Sequence, residues 1–236
     1  MLLRSATSSL SASTNTLTEL PPMFYDPEKN ISHHRRNLPH WQQADAISFV
    51  TFRLGDSIPA KALKAWDNER RIWLLHRLPS ASGELFDILS QLTEPDRRDY
   101  LRRFGKQFHE LLDTGHGSCL LRDPAHSAIV ENALLHFDDQ RYQLGDYVIM
   151  PNHVHVLLAP APGHTIGSIT GSWKRHASRE INKRTGSEGS VWQHESFDHL
   201  VRDAGSLEGF RRYIFQNPEK ARLRTGAYRL GSGTLK

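Results

Sequence analysis

His153 and His155 stand one residue apart in the run His153-Val154-His155-Val156-Leu157-Leu158, whose β-branched residues favour an extended backbone. On a strand, residues i and i+2 point to the same face about 7 Å apart. Two imidazoles placed in this way suit one metal ion held between nitrogen ligands. They also suit a filled core: with 14 histidines in 236 residues, a chance His-x-His is common, and the pattern by itself leaves both readings open. A second chemical feature lies further on. Tyr213 and Asn217 are four residues apart, hence on one face of a helix, beside Phe210 and Ile214. That spacing sets a phenol and a side-chain amide at the edge of a core, a candidate nucleophile and a candidate third ligand, where a tyrosine more commonly serves as an ordinary packed residue. Pro218 disfavours the helical region for Asn217 and predicts a distorted final turn there.

The elements that position these residues follow from local pattern. Ala46 to Leu54 is aromatic and β-branched and stops at Gly55-Asp56, which predicts a core strand. Pro59 opens a helix through His76 that Pro79 ends, and helical pieces follow over 85–92 and 96–113, the latter with Arg97, Arg98, Arg102 and Arg103. Ala128, Ile129, Ala133, Leu134 and Phe137 predict an amphipathic helix over 124–139. Two β-favouring runs, 141–150 and 153–159, flank Pro151-Asn152 and predict a tight hairpin. A helix from Thr165 to Arg184 ends at Gly186, an extended segment covers 191–202, and a last helix runs from Ser206 to about Asn217. The order strand, helix, hairpin, helix, strand, helix predicts an α+β fold with a ferredoxin-like antiparallel sheet, and a helical insertion at about 58–122 after the first strand.

Composition narrows the function classes. Apolar residues make up 38% and charged residues 24%, the balance of a chain with a packed core. Apolar runs fall far short of the roughly 18 residues of a spanning helix, so no membrane partner is expected. The single cysteine, Cys119, closes no intrachain disulfide and builds no thiolate zinc site, which fits a reducing compartment. Residues 170–236 hold 13 Lys and Arg against 7 Asp and Glu, or +6, whereas residues 1–169 hold 17 against 19, or −2. A localised basic region is the footprint of a phosphate-rich partner, or else a solvated face. Nine of the first twenty residues are Ser or Thr, so residues 1–22 are expected as a disordered tail, with Met23 after Pro21-Pro22 an alternative start. The stretch His33, His34, Arg35, Arg36, Pro39, His40 and Trp41 is basic and aromatic, suited to nucleic acid or to the edge of the domain.

The motifs taken together resemble a known family. Met150-Pro151-Asn152-His153-Val154-His155-Val156-Leu157-Leu158, Ser172-Trp173-Lys174-Arg175, Val191-Trp192-Gln193, Phe197-Asp198-His199, Val201-Arg202-Asp203, and Arg212-Tyr213-Ile214 with Asn217-Pro218 resemble, in that order, the single-tyrosine HUH transposases. Within that family the chain looks most like the REP-associated tyrosine transposases. The matching motifs run from about Gly145 to Leu223, with an echo at Phe49 to Arg53, and the 58–122 excursion exceeds the connection expected in the smallest members.

This resemblance implies an HUH endonuclease fold, formed by a single domain at 23–225 with 226–236 as a C-terminal tail. It implies that His153 and His155 bind Mg²⁺ or Mn²⁺ with Asn217 as third ligand, and that Tyr213 attacks phosphorus. The product is a 5′-phosphotyrosine that a later 3′-hydroxyl reverses, a metal-dependent cleavage and rejoining of single-stranded DNA at REP-like hairpins. Candidate contacts to single-stranded or hairpin DNA are Trp173, Lys174, Arg175, Arg179, Arg211 and Arg212. His194 and His199 are open to a supporting or a structural role, and Tyr228 is read as structural. The implied setting is a bacterial cytoplasm, at the nucleoid, as monomer or homodimer. Two other readings remain: a non-catalytic hairpin-DNA-binding regulator of the same fold, and a hydrolase acting on a small phosphoester, which leaves Tyr213 and the basic stretch unexplained.

Overall fold

Every residue of His153–Pro160 is buried, so the strand they form must be covered on both faces. A computed structural model describes residues 24–25, 32–34, 40–43, 46–83 and 85–235 and shows how. The elements in chain order are β1 (Ser32–His34), β2 (His40–Gln42), β3 (Ser48–Arg53), α1 (Ala60–Arg77), α2 (Leu85–Ser90), α3 (Glu94–Asp113), a single 3₁₀ turn (Leu120–Arg122), α4 (Pro124–Leu135), β4 (Tyr142–Ile149), β5 (His153–Pro160), α5 (Ile166–Thr185), β6 (Phe197–Leu200), α6 (Ala204–Lys220) and β7 (Arg229–Gly231). Residues 1–22, Met23 and, within the basic-aromatic stretch, Arg35, Arg36 and Pro39 lie outside the described residues. The flanks of that stretch pair as the β1–β2 ribbon.

The main sheet has the order β6-β3-β5-β4-β7, with every neighbouring pair antiparallel. Its first four strands, with α4 and α5, give the ferredoxin-like arrangement expected from the order of elements. β4 and β5 meet through Pro151-Asn152, where the Met150 amide donates to the His153 carbonyl at 2.8 Å. The β4 register shifts between Leu144 and Tyr147, and Gly145 sits in this irregularity, where a Cβ would stand 2.8 Å from that of Leu157.

Strand alternation divides the core in two. Phe52, Val154, Val156 and Leu158 pack under α4 and α5 with Leu134, Ile169, Trp173 and Ile181. Phe49, Val148 and Leu157 face the other way, with Leu207 and Ile214 of α6. α5 begins on Thr165, whose hydroxyl accepts from the Ser168 amide, and ends at Gly186 in the left-handed conformation, as its terminal residues dictate. The excursion carries an apolar cluster of its own, in which Trp66 and Trp73 of α1 pack on Tyr100, Phe104 and Phe108 of α3. The Phe108 ring also stacks on Phe197 of β6, 5.7 Å between centroids, and so docks the excursion on the sheet.

Three expectations change. α4 ends at Leu135 rather than near Asp139, because the Tyr142 hydroxyl takes the Leu134 carbonyl at 2.7 Å and Asp139 adopts a left-handed φ of 62°. α6 runs through Pro218 to Lys220 without fraying at Asn217: both residues are buried, and the Ala221 and Leu223 amides donate to the Asn217 and Pro218 carbonyls. Residues 226–236, expected as a tail, supply β7, which pairs with β4. Among the described residues no helix is long and apolar enough to cross a membrane.

Candidate active site

β5 turns both His153 and His155 to the α3–α6 face, each 0% exposed. On β3, Thr51 and Arg53 lie in register opposite His155 and His153 respectively. The Thr51 hydroxyl meets His155 Nδ1 at 2.7 Å. Asn152 fixes the other ring: its Nδ2 donates to the Leu112 and His116 carbonyls, which leaves Oδ1 to face His153 Nδ1 at 2.7 Å. An amide oxygen only accepts, so Nδ1 carries the hydrogen and His153 Nε2 is left with its lone pair. Both Nε2 atoms are buried without a hydrogen-bond partner.

Two further groups complete the centre. Asp113, in the last turn of α3, places a carboxylate oxygen 3.8 Å from His153 Nε2. One donor atom each from Asp113, His153 and His155 all lie within 4.8 Å of one another. Ligands held at about 2.1 Å on one ion stand roughly 3.0–4.2 Å apart, so a small inward shift closes this set on a divalent cation. Asn217 of α6 donates from Nδ2 to Asp113 Oδ1 at 3.2 Å, and its Oδ1 is buried without a partner. The donor set, two imidazole nitrogens with a carboxylate and an amide oxygen, could hold a divalent metal ion.

Burial tunes these groups toward ligand chemistry. His153 is lowered to about 3, by burial first and then by His109, and His155 is held well below its ordinary value for the same reasons together with His153. Both are thus neutral donors near pH 7. Burial raises Asp113 to about 6. The Tyr213 phenol is pushed up, by burial and then by the Asp113 carboxylate and against a smaller lowering by the nearby Asn217 amide, so it stays protonated, and its hydroxyl makes no hydrogen bond of normal geometry among the described residues. Its ring lies 5.2 Å from that of His155 and 5.4 Å from that of His109. His109, four residues before Asp113 on α3, is lowered to about 3 by burial and carries an unpartnered Nε2.

The structure brings His153, His155, Tyr213 and Asn217 together, and of the expected DNA contacts it places those of α5 across the sheet from them and Arg211 and Arg212 on α6 itself. Trp173 is 2% exposed in the core, and its indole N–H donates to the Tyr142 hydroxyl at 2.9 Å, so in this arrangement it offers no face to a base. Lys174 donates to the carbonyls of Gln193, His194 and Glu195. Arg175 and Arg179 are exposed on α5, across the sheet from the histidine pair. On α6, Arg211 pairs with Asp146 at 3.1 Å, and Arg212 is exposed. His194 is exposed and away from the donor set, while the His199 ring stacks near Phe210. Tyr228 packs on the α6 side of the core. Asp113 and His109 were not expected at the site. Their i, i+4 spacing places them on one face of α3, but no local signal ties that helix to β5.

Comparison with known proteins bears on the segment that carries most of these groups. Residues 123–217 match the family model described as IS200-like transposase. The resemblance read from the motifs therefore stands over that segment, which holds His153, His155, Tyr213 and Asn217 and excludes His109 and Asp113. No curated protein matches the chain. A solved structure described as a REP-associated tyrosine transposase bound to a REP hairpin covers 80% of this chain and 73% of that chain, at 14% identity and a TM-score of 0.37. A likeness of that size carries no argument.

Proposed function

We propose, from the premise that residues 123–217 form an IS200-like transposase segment, that this protein cleaves and rejoins single-stranded DNA through a 5′-phosphotyrosine on Tyr213. The observation that carries this reading is a set of buried polar atoms without partners in one place: His153 Nε2, His155 Nε2, Asn217 Oδ1 and the Tyr213 hydroxyl. Buried polar groups are nearly always paired, and four exceptions around one carboxylate call for a ligand and a reactant.

His153, His155, Asp113 and Asn217 would hold Mg²⁺ or Mn²⁺. Bound there, such a cation would supply Lewis-acid polarisation of a phosphodiester oxygen and would offset charge on the departing 3′ oxygen. Tyr213 Oη forms a bond to phosphorus while the bond from phosphorus to the 3′ oxygen breaks, which leaves a free 3′-hydroxyl. The phenol proton must leave as that bond forms. The balance of the step carries it to the departing 3′ oxygen, through water or the substrate; His109, in ring contact with Tyr213 and lowered to about 3 by burial, positions the phenol ring and is too weak a base to hold the proton. The phosphotyrosine keeps a phosphoester linkage, so a second 3′-hydroxyl can reverse the step and join strands without ATP. Asn152 and Thr51 hold the imidazoles in orientation throughout.

Hairpin DNA of REP type is the proposed substrate. The catalytic unit is one domain from about residue 23, with the 58–122 excursion, and acts in the cytoplasm at the nucleoid as a monomer or homodimer.

The test is incubation with 5′- and 3′-labelled hairpin oligonucleotides, with Mn²⁺ or with chelator, read on denaturing gels. A metal-dependent adduct retaining the fragment 3′ of the cut, absent from Tyr213→Phe, is expected. Tight binding across a broad hairpin panel with no adduct would overturn cleavage in favour of a non-catalytic regulator.

A further inference from the structure

We infer that the groove between α3 and α6 is the path by which a single strand reaches Tyr213, so that the excursion forms one wall of the DNA channel; this rests on the strand-cleavage reading above. The groove has a volume of about 720 Å³ and includes Tyr213, His109 and Asp113 in its lining.

Its α3 wall is built from two adjacent rows of the helix. Leu101, Gly105 and His109, at i, i+4 and i+8, line it as a largely uncharged row. Arg98, Arg102 and Lys106 line it as a parallel cationic row, about 6 Å per step along the helix axis. Arg202, after β6, adds a further cation, 3.8 Å from Glu94 of α3, and Phe210 of α6 supplies an aromatic surface. A cationic rim over an aromatic and aliphatic floor is how proteins hold single strands, with phosphates on the cations and bases on the rings.

The rim cations are available to phosphates. Their acidic partners are near neighbours on α3: Glu94 for Arg98 at 2.9 Å, Asp99 for Arg102 at 2.6 Å and Glu110 for Lys106 at 3.6 Å. The three cationic side chains are 68%, 80% and 75% exposed, and ion pairs that exposed are weak and screened. Gly105 gives a second sign. A helix interior disfavours glycine, and a Cβ here would meet only ordinary contacts, 3.7 Å from His199 Nε2 and 3.8 Å from Phe197 Cζ. Neither backbone nor packing demands glycine; its lack of a side chain keeps the floor open. α5, which carries other basic residues, lies across the sheet and does not border this groove.

The experiment measures fluorescence anisotropy of a labelled single-stranded oligonucleotide in the Tyr213→Phe background, with chelator, across a salt series. The Arg102→Glu/Lys106→Glu pair is compared with Lys61→Glu/Arg71→Glu, the same charge change at exposed positions of α1. The groove pair is expected to lose at least tenfold in affinity and to flatten the salt slope by about 1.4, the value for two lost phosphate contacts on a single strand. The α1 pair is expected to stay within about threefold. Gly105→Leu, with Tyr213 intact and thermal unfolding monitored, is expected to bind the strand weakly and to lose adduct formation while still folded. Equal affinity and slope for the groove pair, or an equal loss in the α1 pair, would overturn the channel. If the wild type forms the adduct and the groove variants match it, the channel falls and strand cleavage stands; if the wild type binds DNA through this groove yet forms no adduct, the reverse holds.

Discussion

The two faces of one strand, β5, show different uses of burial. Val154, Val156 and Leu158 face α4 and α5 in an apolar layer whose chief polar contact is a short relay from the Trp173 indole to the Tyr142 hydroxyl and on to the Leu134 carbonyl. His153 and His155, the alternate residues, face α3 and α6 among Thr51, Arg53, Asp113 and Asn217, where several buried atoms have no partner. Desolvating polar atoms without replacing their hydrogen bonds costs stability, and the apolar face must offset it. Stability and chemistry thus occupy opposite sides of the same eight residues, and substitutions on the two sides should behave differently.

The sharpest contrast is between Trp173→Ala and His155→Leu, compared by urea unfolding with chelator present. Trp173→Ala is expected to cost about 3–5 kcal/mol, through a cavity at a fully buried ring. His155→Leu is expected to cost under about 1 kcal/mol, since an apolar side chain of similar size replaces a buried polar one. A cost for His155→Leu as large as that for Trp173→Ala would break the division of labour.

Acid should act through the α3–α6 face. His109 and His153 are each lowered to about 3 in the folded protein, below the ordinary value of 6.5. Protonation therefore favours the unfolded chain, and each group loses about 1.4 kcal/mol per pH unit as pH falls below 6.5 toward its folded value. His155 and His199 act in the same direction. Asp113 acts against them: its value is raised to about 6, so it returns stability as pH falls from there toward 3.8. From pH 7 to 5 the first two histidines and Asp113 together give a net loss on the order of 3 kcal/mol in metal-free protein. Stability that stayed flat over this range would show that these imidazoles are not desolvated in the folded state.

Metal sharpens the comparison further. Mn²⁺ at about 100 times its dissociation constant should add roughly 2.7 kcal/mol to unfolding, and His153→Ala should abolish that gain. Asp113→Asn, which replaces a charged ligand by a neutral amide, should weaken Mn²⁺ at least about tenfold by calorimetry, no less than the loss of a group that merely supports a ligand. Unchanged affinity would remove the excursion from the metal site.

Much of this arrangement is legible in the sequence because its signals are local. The His-x-His alternation, the break at Pro151-Asn152, the Thr165 cap and Gly186 stop of α5, and the apolar face of α6 each act within a few residues. Other parts are decided across the chain. Asp113 and His109 reach the site only because Trp66, Trp73 and Phe104 assemble the excursion and Phe108 docks it on Phe197. The spacing Ile166, Ile169, Trp173, Ala177, Ile181 marks one buried stripe of α5, yet the basic residues around Trp173 suggest a nucleic-acid contact. β7 is only three residues long and is fixed by its pairing with β4 rather than by its own pattern.

Two hydrogen bonds at the site, Thr51 to His155 and Asn217 to Asp113, each join residues 104 positions apart. Contacts of that separation form late in folding, after the intervening chain has lost its freedom. α6 is the last contributor in chain order, so a ribosome-bound chain that has displayed only α3, β3 and β5 holds neither the phenol nor the closing amide. On the strand-cleavage reading, a chain that has not yet displayed α6 lacks its nucleophile, and a truncated product without α6 would be inert toward DNA strands rather than damaging to them.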